Sequence, residues 1–366
     1  MHGGNLWALL EDPALSQERV LDFSANLNPL GPPEGLLSFL EEQLRWVDRY
    51  PEPTYQHLRQ AIGAFHGVPP EVVLSGNGAT DLIHLISRWQ AAGHRDSIEG
   101  VVVSPTFGEY ERAIVSDGGK VKHWGLQEQE TIFVCPELST RPLLKTGGML
   151  LLCNPNNPTG TLWPEATLVQ LLRQAEAEGV CVVVDESYLD WVVGPGLGSL
   201  VGRIAEFQNL VVLRSLTKSF SIPSLRLGYL VAAPETVQTL GRMQPSWSVN
   251  GLASAAGEWL LPQKAYLDQS REKMVLWREE FWRQLKEIPG VQPYVSQANF
   301  LLCRLSDSAW SVAHLAHRLR KEGFLIRVCD DLVGLKPGRF FRVAVRWPDE
   351  NKRLVEMLER ILSHGG

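Results

Sequence analysis

The sequence predicts an α/β protein: a mainly parallel sheet with helices on both faces, followed by a smaller α+β unit. Two observations predict it. Over roughly the first two thirds of the chain, short continuous apolar runs alternate with longer amphipathic stretches. Apolar runs of that length, without polar alternation, suit strands covered on both faces. From about Leu260 the pattern changes to a long charged helix and then to interleaved short strands and helices.

The strand candidates, in order, are VVVSP (101–105), MLLLCNP (149–155), VCVVVDE (180–186), LVVLRS (210–215) and YLVAAP (229–234). The stretch from Lys264 to Leu285 reads as one long helix, with Trp277, Phe281 and Leu285 at four-residue spacing on one face. After it come NFLLCRL, a helix from Val312 to Glu322, FLIRVC, RFFRVAVR and a last helix to Leu362. The expected division is an N-terminal segment, 1–40, that joins the small domain; a large domain, 41–261; and a small C-terminal domain, 262–366.

Composition narrows the function. With 366 residues and 44% hydrophobic content, the chain can bury two cores. Lys plus Arg number 35 against 41 Asp plus Glu, and no segment concentrates positive charge, so nucleic acid is not an expected partner. Five scattered cysteines without a CxxC pair fit neither a disulfide framework nor structural zinc, and no metal is expected. No run approaches the roughly 18 apolar residues of a membrane span, and MHGGNLWALLEDP lacks the layout of a signal peptide. A cytoplasmic protein away from membranes is the expectation.

In open sheets of this kind, ligands gather beyond the carboxyl ends of the strands. Phe107, Asn157, Asp185, Ser215 and Lys218 fall at such ends. A lysine amine holds an aldehyde cofactor as a Schiff base, and an aspartate keeps a pyridine nitrogen protonated so that electrons released at a substrate's Cα pass into the ring. Lys218 and Asp185 together therefore point to pyridoxal 5'-phosphate as cofactor.

The surrounding residues fit the same need. GNGAT (Gly76 to Thr80) follows a strand and opens a helix, so a phosphate can rest on Gly78, Ala79 and Thr80; alone, the pattern is equally a tight turn capping a helix. Ser215, Thr217 and Arg226 form a second phosphate element, two hydroxyls and a guanidinium. Phe107, in PTFGEY, stands where a ring can stack on the pyridine, or where a core aromatic would stand. Asn157 and Tyr188 can donate to the cofactor's phenolic oxygen. Asp185 also has a plainer reading, as the cap of the next helix.

Taken together, GNGAT, PTFGEY, NPNNPTG, VVVDESY and SLTKSFSIPSLRLGY resemble the class I/II aminotransferase family of fold-type I pyridoxal phosphate enzymes, in order and spacing along essentially the whole chain. HGGN, LDFSANLNPLGPP and RYPEP are similar to its threonine-phosphate decarboxylase branch, with the histidinol-phosphate aminotransferases as close relatives. The resemblance implies that Lys218 carries the cofactor, Asp185 pairs with its ring nitrogen, and Tyr50 reaches a neighbouring subunit's cofactor phosphate, which makes the protein a homodimer. It also implies substrate contacts from His2, Gly3, Asn26, Asn157, Arg327 and Arg342. One departure is Ser224, where relatives often carry glycine; it raises a question about the backbone of that turn.

The implied substrate is a small phosphorylated amino acid. The implied reaction is decarboxylation of O-phospho-L-threonine to (R)-1-amino-2-propanol O-2-phosphate in cobamide biosynthesis; the alternative is a histidinol-phosphate-type transamination with 2-oxoglutarate and glutamate. A non-catalytic ligand sensor on the same fold would need an output module, and the sequence offers no basic helix for one.

Overall fold

The computed structural model describes residues 3–6, 20–93, 98–194, 198–306 and 310–363. In chain order, β1 (Leu21–Asp22), α1 (Leu36–Gln43) and α2 (Gln56–His66) precede β2 (Val73–Gly76), α3 (Ala79–Ala92), β3 (Glu99–Ser104), α4 (Glu109–Ser116) and β4 (Lys120–Gly125). A hairpin of β5 (Gln127–Gln129) and β6 (Ile132–Val134) leads to β7 (Met149–Cys153), α5 (Glu165–Ala177), β8 (Cys181–Asp185) and β9 (Leu210–Ser215). The four-residue α6 (Leu216–Ser219), β10 (Gly228–Ala232), α7 (Pro234–Met243) and α8 (Gly251–Leu260) follow.

These strands form a seven-stranded sheet in the order β2-β10-β9-β8-β7-β3-β4. β9, β8, β7, β3 and β4 pair in parallel, whereas β10 runs antiparallel to both β2 and β9. The mainly parallel sheet read from the sequence is present, with YLVAAP as its reversed strand. A parallel neighbour needs a crossover, usually a helix. Between β9 and β10 the chain has only α6 and a turn, so it comes straight back.

Side-chain alternation divides the interior into two cores. Val102, Leu151, Val183 and Leu213 project to one face, with Leu82 and Ile86 of α3. Val103, Leu152, Val184 and Val212 project to the other, with Leu168 and Leu172 of α5. β7 and β8 are buried at every position, which is why they read as unbroken apolar runs.

The remaining chain builds α9 (Lys264–Glu287), β11 (Val291–Pro293), β12 (Phe300–Leu305), α10 (Val312–Lys321), β13 (Phe324–Leu325), β14 (Arg327–Val328), β15 (Phe340–Ala344) and α11 (Pro348–Ser363). Its sheet, β11-β12-β15-β14, is antiparallel throughout. The N-terminal segment lies along it: β1 pairs in parallel with β13, and the Ala344 N–H donates to the Phe23 carbonyl at 2.8 Å. On α9, Phe281 and Leu285 are fully buried and Trp277 only partly.

Candidate active site

β7, β8 and β9 end on Cys153, Asp185 and Ser215. Cys153 and Asp185 are register partners, and period-two alternation turns them to the face that also receives Leu213 and, two residues on, Ser215. Just beyond these ends lies a small cavity of about 90 Å³, lined by Ala79, Thr80, Phe107, Tyr110, Asn157, Asp185, Tyr188, Ser215, Thr217, Lys218 and Arg226 among others. Ten residues singled out from sequence thus come together, and Gly78 adjoins them as the residue just before α3.

Gly78 has φ +81°, a conformation that glycine adopts at little cost. A Cβ placed there would stand 2.6 Å from Nη2 of Arg226. The guanidinium therefore closes over bare backbone at the start of α3, where N–H groups are unpaired and the helix dipole favours an anion. Gly228, the first residue of β10, has a related role: a Cβ on it would meet the Ala79 nitrogen at 2.6 Å, so only glycine lets the loop lie this close. Ser215 Oγ and Thr217 Oγ1 stand 2.7 Å apart on the same rim. Arg226 itself has φ +58° and donates from Nη1 to the Pro223 carbonyl at 3.1 Å. Ser224 is not among the residues with positive φ, so serine meets no backbone strain there, and the question raised by its departure from glycine is answered.

Asp185 is buried and held on both oxygens. The Ser187 N–H donates to Oδ1 at 2.9 Å and the Tyr110 hydroxyl to Oδ2 at 2.7 Å. It does not cap a helix; the short 3-10 turn that follows, Leu189–Trp191, has Tyr188 at its cap position. Burial, together with Asp185, pushes the Tyr110 hydroxyl well above its ordinary pKa, so it stays a donor. Phe107 meets Tyr110 edge to face at a centroid separation of 5.7 Å and is partly exposed, at the cavity wall rather than within the core.

Behind Asn157, Arg342 of β15 is buried and donates from Nη1 to Asn157 Oδ1 and from Nη2 to the Ser24 carbonyl at 2.7 Å. Its guanidinium lies over the Phe300 ring at 5.3 Å. Because Arg342 takes the Asn157 oxygen, the Asn157 amide nitrogen is left to donate elsewhere. Asn26 Nδ2 donates to the Tyr188 hydroxyl at 3.3 Å. Asn26 Oδ1 and Arg342 Nε are buried without a hydrogen-bond partner, an orphaned acceptor and an orphaned donor beside the cavity.

Burial, with Arg342 and Arg226 nearby, lowers the Lys218 pKa to about 8, against the opposing pull of Asp185. At pH 7 roughly a tenth of this amine is then neutral and nucleophilic, a few hundred times the fraction at the ordinary 10.5. Burial raises Tyr188 to about 12 and lowers Arg342 from its usual value.

Other sequence-derived residues lie apart. Gly3 and Arg327 line a separate cavity of about 340 Å³ with Ser24, His317 and Arg320. Arg327 is the register partner of Arg342 across β14 and β15, but its Nη2 is engaged by Asp331 at 2.8 Å. Tyr50 is 79% exposed, stacked on Trp247 and absent from the cavity wall. His2 lies outside the described residues.

Sequence reasoning assigned no role to Tyr110, although its three-residue spacing from Phe107 at a helix start signals a shared side. It also missed Asn28, whose backbone N–H donates to the Lys218 carbonyl at 3.0 Å and whose Nδ2 donates to the Ser219 carbonyl at 2.9 Å.

The residues present fit pyridoxal phosphate: an amine near neutrality, a carboxylate with directed oxygens, a ring at the wall, and an anion cradle that a single Cβ would fill. Residues 18–358 match the family model for class I and II aminotransferases. A threonine-phosphate decarboxylase from Salmonella typhimurium is 35% identical, the match covering 99% of this chain and 96% of that one. A histidinol-phosphate aminotransferase from Desulfitobacterium hafniense is 32% identical, over 92% of this chain and 91% of its own. Among solved structures, the L-threonine-O-3-phosphate decarboxylase from Porphyromonas gingivalis superposes with a TM-score of 0.83 at 26% identity, covering 93% of this chain and 99% of that one. The chain belongs to the class I and II aminotransferase family of pyridoxal phosphate enzymes.

Proposed function

We propose that this enzyme decarboxylates O-phospho-L-threonine, giving carbon dioxide and (R)-1-amino-2-propanol O-2-phosphate, a linker precursor of cobamides. The observation that carries the reading is the convergence of Lys218, Asp185 and the Gly78–Arg226 cradle on one cavity, in a chain whose full length matches threonine-phosphate decarboxylases. When bound, pyridoxal phosphate supplies an aldehyde for an amine and a ring that accepts the electron pair left at Cα.

The chain's own residues supply position and protons. Gly78, Ala79, Thr80, Ser215, Thr217 and Arg226 hold the cofactor phosphate, Asp185 holds the ring nitrogen, Phe107 covers the ring, and Asn157 and Tyr188 donate to its phenolic oxygen. Lys218 offers a neutral amine to the aldehyde and later a proton to the substrate's Cα. The carboxylate leaves as carbon dioxide, its bonding pair stays behind, and one proton takes its place.

A transaminase holds the Cα–H bond perpendicular to the ring; a decarboxylase holds the bond to the carboxylate there. Arg342, Arg327, Asn26, His2 and Gly3 would set that rotation by gripping the substrate's anionic groups, so binding energy away from Cα selects the bond that breaks. Tyr50 is exposed and off the cavity wall, so the reading gives it to the cofactor phosphate of a second subunit in a homodimer.

The test is gas evolution from purified enzyme given phosphothreonine or phosphoserine. Carbon dioxide release without a keto acid supports decarboxylation. Turnover that needs 2-oxoglutarate and releases none supports the aminotransferase reading instead.

A further inference from the structure

Lys218 sits on α6, which has only four residues and cannot hold its own shape. One side of α6 is fastened by Asn28, which takes the carbonyls of Lys218 and Ser219. The other side is fastened through a side chain: the fully buried Ser219 hydroxyl donates to Asp190 Oδ2.

Asp190 is itself fixed. Its other oxygen, Oδ1, accepts from Nη2 of Arg214, a buried residue whose Nη1 reaches Glu186 Oε2 at 3.3 Å. Glu186 is 1% exposed and also accepts the Leu200 N–H at 2.8 Å and the Ser199 hydroxyl. Alternation along the strands generates this arrangement. β8 gives Asp185 to the cavity and the next residue, Glu186, to the far face; β9 gives Ser215 to the cavity and the preceding Arg214 to the far face. Each cofactor-facing residue thus has an ionic neighbour on the opposite side of the sheet, and Asp190 joins that ionic group to α6.

We propose that Asp190, acting through Ser219, is a positioning residue for Lys218: it sets the direction of the amine towards the cofactor aldehyde without touching the cofactor. The inference rests on the cofactor reading above and adds a demand that the reading alone does not make. Loss of the Asp190–Ser219 contact slows covalent capture and leaves the fit of the cofactor body unchanged.

The experiment uses cofactor-free full-length chain in parent, Ser219→Ala, Asp190→Asn and doubly substituted forms. Two quantities are read on each: the first-order rate of covalent capture of added pyridoxal phosphate by absorbance, and the affinity for pyridoxine phosphate, which has no aldehyde. The expected result is capture slowed about tenfold or more in both single variants, with pyridoxine phosphate affinity within about twofold of the parent. The double variant should be no slower than the slower single one, because the two residues act as one unit. Ser219→Ala removes a single atom and carries the test if Asp190→Asn folds poorly. Capture at parental rate in Ser219→Ala, or a fall matched by an equal loss of pyridoxine phosphate affinity, overturns the inference and leaves the cofactor reading standing. A parent chain that captures no aldehyde overturns both.

Discussion

The Tyr110 hydroxyl donates to Asp185 Oδ2 at 2.7 Å, with both residues buried. A hydrogen bond to a charged group contributes roughly 1.5–3 kcal/mol, and this one fixes the carboxylate at the cavity wall. Tyr110→Phe is therefore expected to keep the fold and bound cofactor but to lower kcat by about tenfold or more. Steady-state kinetics with a melting curve check it; unchanged kcat would show that Ser187 alone holds Asp185.

Lys218 supplies a pH prediction. In the cofactor-free chain its pKa is lowered to about 8 from the ordinary 10.5. The unfolded chain then binds the proton more tightly than the folded one, so protonation opposes folding below about pH 8, and the opposition fades as pH rises from 8 to 10.5. Lys218→Met should raise the cofactor-free melting temperature at pH 7, with a smaller gain at pH 10. In the parent, capture of pyridoxal phosphate should accelerate up to about pH 8 and then level off; a rise that continues to pH 10 would place the amine in water.

Gly78→Ala should act on the phosphate alone. Its Cβ would stand 2.6 Å from Arg226 Nη2, at a backbone angle of +81°. Affinity for pyridoxal phosphate is expected to fall by about tenfold or more, while the phosphate-free pyridoxal binds as before. Equal losses for both compounds would mean that the cradle does not hold the phosphate.

Arg342→Lys keeps the charge and loses the planar fork that meets Asn157 and the Ser24 carbonyl. We expect kcat/KM to fall about 100-fold, with the cofactor spectrum nearly intact. Loss of bound cofactor in that variant would show Arg342 serving the cofactor instead of the substrate.

The sequence was most legible where burial was complete. β7 and β8 are covered on both faces, so each appears as an unbroken apolar run with its polar residue at the end. β4, with charged and mostly exposed residues at the sheet's edge, had no such signature. The same holds for the site. Lys218, Asp185 and the glycine turn were recognisable because each carries chemistry in its own side chain or backbone. Asn28, Asp190 and Tyr110 reach those residues or their neighbours through contacts formed only on folding, the first two across 190 and 29 positions of chain respectively.

Borohydride reduction of the cofactor-loaded enzyme, followed by peptide mapping, tests the central claim most directly. The account predicts a pyridoxyl group on Lys218 and on no other residue, absent from Lys218→Ala. A chain that stays colourless with pyridoxal phosphate, or a tag on a different lysine, would contradict it.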